Sequence, residues 1–148
     1  MQHTLIINVD ELWLKQKKRP YYMGVLKKNI SAVLKNMRNE ASCLCRVDNQ
    51  RLVVSSDHDF SKECLSALQC MPGIHSISPA IPLPIDEALI VPTVLQALAD
   101  RPNLPETFAV RTHRGNKQFK TNSMTLSKHV GAEVIKHYPQ LTVDLQNP

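Results

Sequence analysis

The chain has 148 residues, of which 43% are hydrophobic and 21% charged. That is enough apolar material for one ordinary domain or two small ones. The formal net charge of +5 suits a nucleic-acid or anionic partner, although solubility alone can account for such a value. No run has the unbroken apolar length of a membrane span, and residues 1–9 are too short for a signal peptide before charged sequence begins. A cytoplasmic protein with reduced thiols is therefore expected.

The first β-rich run is Thr4–Val9. A basic stretch follows, and Pro20 suits the first turn of a helix. From Tyr21 to about Met37 the residues Tyr22, Val25, Leu26, Ile30, Val33, Leu34 and Met37 recur at spacings of three and four, which places them on one helical face. Lys27, Lys28, Lys35 and Arg38 fall on the opposite face. A solvated outer face is the usual fate of such lysines. Here no glutamate is spaced to pair with them, which leaves phosphate contact as an equal alternative.

Residues 41–47 and 50–55 are β-prone and meet at Asp48-Asn49, a hairpin turn. Asp57 or Asp59 is placed to cap a helix from Phe60 to Cys70, with Cys64, Leu68 and Met71 facing inward. Pro72-Gly73 ends that helix, and Ile74–Ser78 is a last short strand. The order βαββαβ defines a ferredoxin-like domain over residues 1–78. The four cysteines form no CxxC pair and stand beside no paired histidines, so they read as small apolar residues and not as a metal site.

Pro79, Pro82 and Pro84 mark a stiff linker over residues 79–85. Residues 86–99 are helical in pattern, with Pro92 either kinking one helix or starting a second. Phe108–Thr112 reads as a strand and Gly115-Asn116 as a turn. Asn122 or Ser123 caps a helix from Met124 to Tyr138 with Leu126, Val130, Val134 and Tyr138 inward, and Gly131-Ala132 would admit a neighbouring backbone. Residues 141–145 are extended. The whole is α+β, with a second α/β domain over residues 86–148.

Charge is segregated along the chain. Residues 15–38 include Lys15, Lys17, Lys18, Arg19, Lys27, Lys28, Lys35 and Arg38, with no acidic residue. Arg111, His113, Arg114, Lys117 and Lys120 crowd into ten positions, again with none. The intervening stretch is acidic. Two distant basic segments are the footprint of a phosphate-tracking protein if the domains present them together. Lys35 and Arg38 aside, these residues are the candidate RNA-binding set, and His113 can donate to phosphate or stack on a base. Tyr21, Tyr22 and Phe119 are available for stacking, but periodicity assigns Tyr22 and Phe119 to the core. The histidines have no carboxylate or thiol partner at motif spacing, so no catalytic centre is expected.

Several segments carry a family resemblance. Asp10-Glu11-Leu12-Trp13-Leu14-Lys15 followed by Arg19, Met71-Pro72-Gly73-Ile74, Ser76-Ile77-Ser78-Pro79-Ala80, Thr107-Phe108-Ala109-Val110-Arg111 with Arg114, Lys117 and Phe119, Val130-Gly131-Ala132, and the terminal Val143-Asp144-Leu145-Gln146-Asn147-Pro148 resemble, in order, the N-terminal part of the tRNA 4-thiouridine synthetase family. That family has a ferredoxin-like domain followed by an RNA-binding THUMP domain. The sequence departs from it at Asp10 and Gln16, where glycines are common, at Lys18, where asparagine is, and at His113, where lysine is. The resemblance implies a tRNA-binding module that docks the acceptor end and 3′ tail. It also implies that the THUMP domain is C-terminally incomplete. The Gly-rich SGGxDS loop of the ATP-binding catalytic domain is missing. The expectation is therefore no enzyme activity, no cofactor, a separate catalytic partner, and dimerisation through an open sheet edge. The alternatives are a protein-interaction or small-ligand regulatory domain on a ferredoxin-like scaffold, or a fragment without function.

Overall fold

The structure is a computed structural model that describes residues 3–10, 17–37, 43–115 and 118–148. The chain forms two compact units, Met1–Pro82 and Leu83–Pro148.

The first unit contains β1 (His3–Val9), α1 (Arg19–Asn36), β2 (Leu44–Asp48), β3 (Arg51–Ser56), α2 (Lys62–Gln69) and β4 (Ile74–Ala80). They build one antiparallel sheet in the order β2-β3-β1-β4. Alternation sends Leu5, Ile7 and Val9 to one face, where they meet Leu52 and Val54 of β3, Met23, Leu26, Ile30 and Leu34 of α1, and Cys64 and Leu68 of α2. Ile7, Leu26, Ile30, Leu52 and Leu68 are fully buried, each worth roughly 2–3 kcal/mol of transfer free energy. This is the ferredoxin-like arrangement expected from the order of elements.

Several local expectations need correction. Met23, absent from the expected inward set, is buried, because it lies three residues before Leu26 and so on the same face as Leu26, Ile30 and Leu34. The hairpin turn lies at Asn49-Gln50 and not at Asp48-Asn49. Asp48 pairs with Arg51, and the two residues between them have φ of 41° and 68°. Two consecutive left-handed residues are what a tight hairpin requires. Neither Asp57 nor Asp59 caps α2; the Ser61 hydroxyl accepts from the Cys64 N–H at 3.1 Å, so the helix starts at Lys62. Asp59 instead meets the His3 ring at 2.8 Å. Gly73, at φ 91°, turns the chain out of α2, and its carbonyl accepts from the Asp10 N–H. β4 runs on to Ala80, past the expected end at Ser78, because Pro79 and Ala80 still pair with Leu5 and Thr4.

The second unit opens with a 3-10 turn (Glu87–Leu89) capped by the Asp86 carboxylate, which accepts from the Ala88 N–H. It then holds α3 (Ile90–Ala99), β5 (Thr107–Phe108), α4 (Ser123–His137) and β6 (Thr142–Val143). Pro92 sits in the first turn of α3, where no backbone donor is needed, so it starts this helix and does not kink a longer one. Leu126, Val130 and Val134 of α4 and Leu141 form the buried centre, covered by Val94, Leu95 and Leu98 of α3 and by Phe108, Val110 and Phe119. A Cβ placed on Gly131 would meet only a Val110 methyl at 3.9 Å, so no backbone approaches there, contrary to expectation. Among the described residues no helix is long and apolar enough to cross a membrane.

Candidate nucleic-acid interface

The basic segment of the second unit is held by its apolar and hydroxyl residues and displays its charged ones. The sequence reading makes Phe108–Thr112 a strand, but only Thr107 and Phe108 pair, in parallel with Thr142 and Val143. The reason lies in the partner. After Val143 the Asp144 carboxylate accepts from the N–H groups of Gln146 and Asn147 at 2.9 and 3.0 Å, which closes a turn and ends the ladder. The carboxylate is held below its ordinary pKa, mainly by the Asn147 N–H and then by that of Gln146.

Beyond β5 the chain alternates without a ladder. Val110 packs inward, Arg111 is exposed, and Thr112 is half-buried with its hydroxyl 2.7 Å from that of Ser127 on α4. His113 and Arg114 are exposed. Phe119 returns to the core, as expected, and Lys120 points out again. Asn122 then caps α4, accepting from the Thr125 N–H at 2.8 Å, which decides between the two expected caps. The Thr121 hydroxyl donates to Glu87 at 2.6 Å and ties this end of the loop to the start of α3.

The two arginines are oriented by neutral acceptors. Arg111 donates from Nη2 to the Leu145 carbonyl at 3.2 Å, and Arg114 from Nη1 to the Phe119 carbonyl at 3.1 Å. A carbonyl fixes a guanidinium without cancelling its charge. Each group has five donors, so most of its fork remains available for a planar or tetrahedral oxyanion. Lys117 lies outside the described residues. Sequence reasoning missed the Thr112–Ser127 bond and the Leu145 tether, since both join positions far apart in the chain. The only local signal was the hydroxyl type at each position.

In the first unit Lys17 and Lys18 lie in the turn that enters α1, both exposed, and Arg19 is half-buried. Lys27 and Lys28 are exposed on α1. Successive residues point about 100° apart, so the two lysines face different directions. Lys27 leans toward β2, where its charge offsets part of the upward push that burial gives the Cys45 thiol. Lys28 points away from the sheet. Lys15 lies outside the described residues. All four thiols are free, with Cys45 and Cys64 buried in the core. Among the described residues no group of three or more His, Cys, Asp or Glu is placed to hold a metal ion.

Comparison with known proteins agrees with this architecture. Residues 4–78 match the model of the ThiI ferredoxin-like domain and residues 91–148 that of the THUMP domain. A probable tRNA sulfurtransferase of Acholeplasma laidlawii is 29% identical over 148 residues, covering 100% of this chain and 35% of the relative. One from Thermoanaerobacter sp. (strain X514) is 32% identical, covering 100% of this chain and 37% of the relative. The chain thus spans little more than a third of the length of such relatives. A solved complex of a 4-thiouridine synthetase with RNA and bound ATP superposes with a TM-score of 0.76 at 21% identity, covering 100% of this chain and 36% of that one. The Pyrococcus horikoshii Ot3 protein PH1313 gives 0.77 at 21% identity, covering 98% of this chain and 48% of that one. With residues 4–78, half of its length, matched, the chain belongs to the ThiI ferredoxin-like family and carries a THUMP domain behind it.

Proposed function

We propose that this chain is a tRNA-docking module that presents the acceptor end of a tRNA, including its 3′ tail, to sulfur-transfer chemistry carried out by residues outside these two domains. The observation that carries the reading is the loop of residues 110–120. Its inward side is anchored by Val110, Thr112 and Phe119, while Arg111, His113, Arg114 and Lys120 stand in solvent. The two arginines are preset by carbonyls and keep their charge. A cluster whose only role is solubility has no need of fixed geometry. Recognition of this kind reads shape and backbone more than base edges. The relatives support the choice of RNA: they are probable tRNA sulfurtransferases, and one structural neighbour was solved with RNA. The second basic segment, Lys17, Lys18, Arg19, Lys27 and Lys28, supplies further contacts to the same ligand.

The test is a titration of an unmodified tRNA transcript at several salt concentrations, with and without its 3′ tail. Each phosphate contact contributes about 0.7–0.9 to the slope of log affinity against log salt. Replacing Arg111 and Arg114 together by alanine should therefore weaken binding at low salt and flatten the slope by about 1.4–1.8, so that the double variant loses roughly tenfold less affinity than the intact protein between 50 and 200 mM salt. Loss of the tail should weaken binding by the intact protein more than binding by the double variant. Parallel lines for the two proteins, or no binding at low salt, would reject the reading.

A further inference from the structure

The THUMP loop does not account for one residue of the first unit, Gly24. It lies in the interior of α1, which runs unbroken from Arg19 to Asn36. Glycine is the poorest helix former after proline, so its place inside a helix costs stability that a backbone turn or a close neighbour commonly explains. The usual reasons fail here. Its φ is not positive, since Gly73 is the glycine found there among the described residues. Among the described residues nothing approaches it, because a Cβ built at this position has none of their heavy atoms within 4 Å. The residue is exposed.

Its neighbours on the same face are informative. Helical geometry places Tyr21 three residues before it and Lys28 four residues after it on that outward face. The Tyr21 ring is 69% exposed, and it stands edge-on to Tyr22 with ring centres 5.6 Å apart, which props it outward. Lys35 continues the same stripe two turns further, and the first turn of α1 has no acidic residue. The result is a bare stretch of backbone between an aromatic ring and ammonium groups.

The geometry points to this notch as a docking site for the sugar–phosphate backbone of an RNA strand, with Gly24 giving the strand close access to α1. Lys28 and Lys35 meet its phosphates, and Tyr21 stacks on a base or ribose beside the notch. An acidic protein surface would also be drawn to the lysines, but it gains nothing from a missing side chain beside a flat ring. A phosphodiester chain is anionic and bulky at regular intervals, and it alternates with stackable rings.

This inference rests on the tRNA-docking reading, and its test separates the two. Gly24→Ala and Gly24→Leu should both raise the thermal midpoint of the protein, by about 3–8 °C, because both residues favour the helix and the added Cβ meets no atom of the described residues. Both should nevertheless weaken binding of the tRNA transcript, by about threefold for alanine and tenfold or more for leucine. Tyr21→Ala should cost about fivefold or more, in line with the loss of one base stack. Stability and affinity moving in opposite directions is an outcome that a purely structural glycine cannot give. If the transcript binds, and binding responds to Arg111 and Arg114, but Gly24→Leu leaves affinity within twofold, the notch is refuted and the docking reading stands. If no transcript binds even at low salt, both fall.

Discussion

Gln50 occupies a backbone position that its side chain does not favour. It is the second residue of the β2–β3 turn, at φ 68°, directly after Asn49 at φ 41°. Asparagine tolerates the left-handed region, but glutamine has a full Cβ and no short polar group to compensate. The cost of such a residue is about 1–2 kcal/mol. Gln50→Gly removes it and returns about 0.4–1 kcal/mol of extra chain entropy to the unfolded state. The difference is a net gain of about 0.5–1 kcal/mol. The side chain is exposed and leaves no cavity when removed. For the unit Met1–Pro82 this corresponds to a rise of about 2–8 °C in its melting midpoint. The assay is thermal unfolding followed by circular dichroism, with hydrogen exchange at the Val47 and Leu52 amides to localise the gain to the hairpin. Asn49→Ala should move in the opposite direction. If Gln50→Gly left the midpoint unchanged or lowered it while exchange at the hairpin stayed the same, the assignment of strain to this turn would be wrong.

Gly131→Ala should stabilise the second unit by about 0.5–1 kcal/mol, since the added methyl meets only Val110 at an ordinary distance; a loss of stability in denaturant unfolding would show that a closer neighbour exists. The turn closed by Asp144 should loosen in acid. Its folded pKa is depressed, so its contribution is complete above the ordinary value of 3.8 and is lost as pH falls through the lower folded value. Exchange protection at Gln146 and Asn147 should fall in that range, and Asp144→Ala should abolish the pH dependence. Among the described residues β6 pairs only with β5, and Val143 and Leu145 are exposed beside it, so a second copy of the chain can add along its free side. Sedimentation should then show a dimer that grows with concentration; a monomer throughout would remove this expectation.

Much of the first unit was legible because its signals are local. The three-and-four spacing of Leu26, Ile30 and Leu34, the proline at position 20 and the glycine at 73 each act within one or two turns of chain. The errors fell where two local solutions compete. Ser61 and Asp59 are both good caps; Ser61 takes the Cys64 N–H, and Asp59 meets His3 instead. Met23 was missed because Tyr22 and Val25 were read as the inward residues of the first turns, whereas the buried stripe runs through Met23, Leu26, Ile30 and Leu34. In the second unit β-propensity marked Phe108–Thr112 as a strand, of which only Phe108 pairs. It could not reveal that the partner strand stops at Val143 because an aspartate there closes its own turn. The basic residues of the candidate interface were visible as charges, but their carbonyl partners were not, because Arg111 and Leu145 are brought together only by the fold.

The parallel pairing of β5 with β6 has a kinetic side. Two short strands far apart in sequence are joined across the basic loop and all of α4. Bringing such distant points together loses chain entropy that so short a ladder barely offsets. The ladder should therefore close late, after α4 has docked on α3, and open early under mild stress. The Arg111 tether depends on that closure, so the electropositive loop should reach its final shape only in the last stage of folding. Anything that binds that shape would in turn slow its opening.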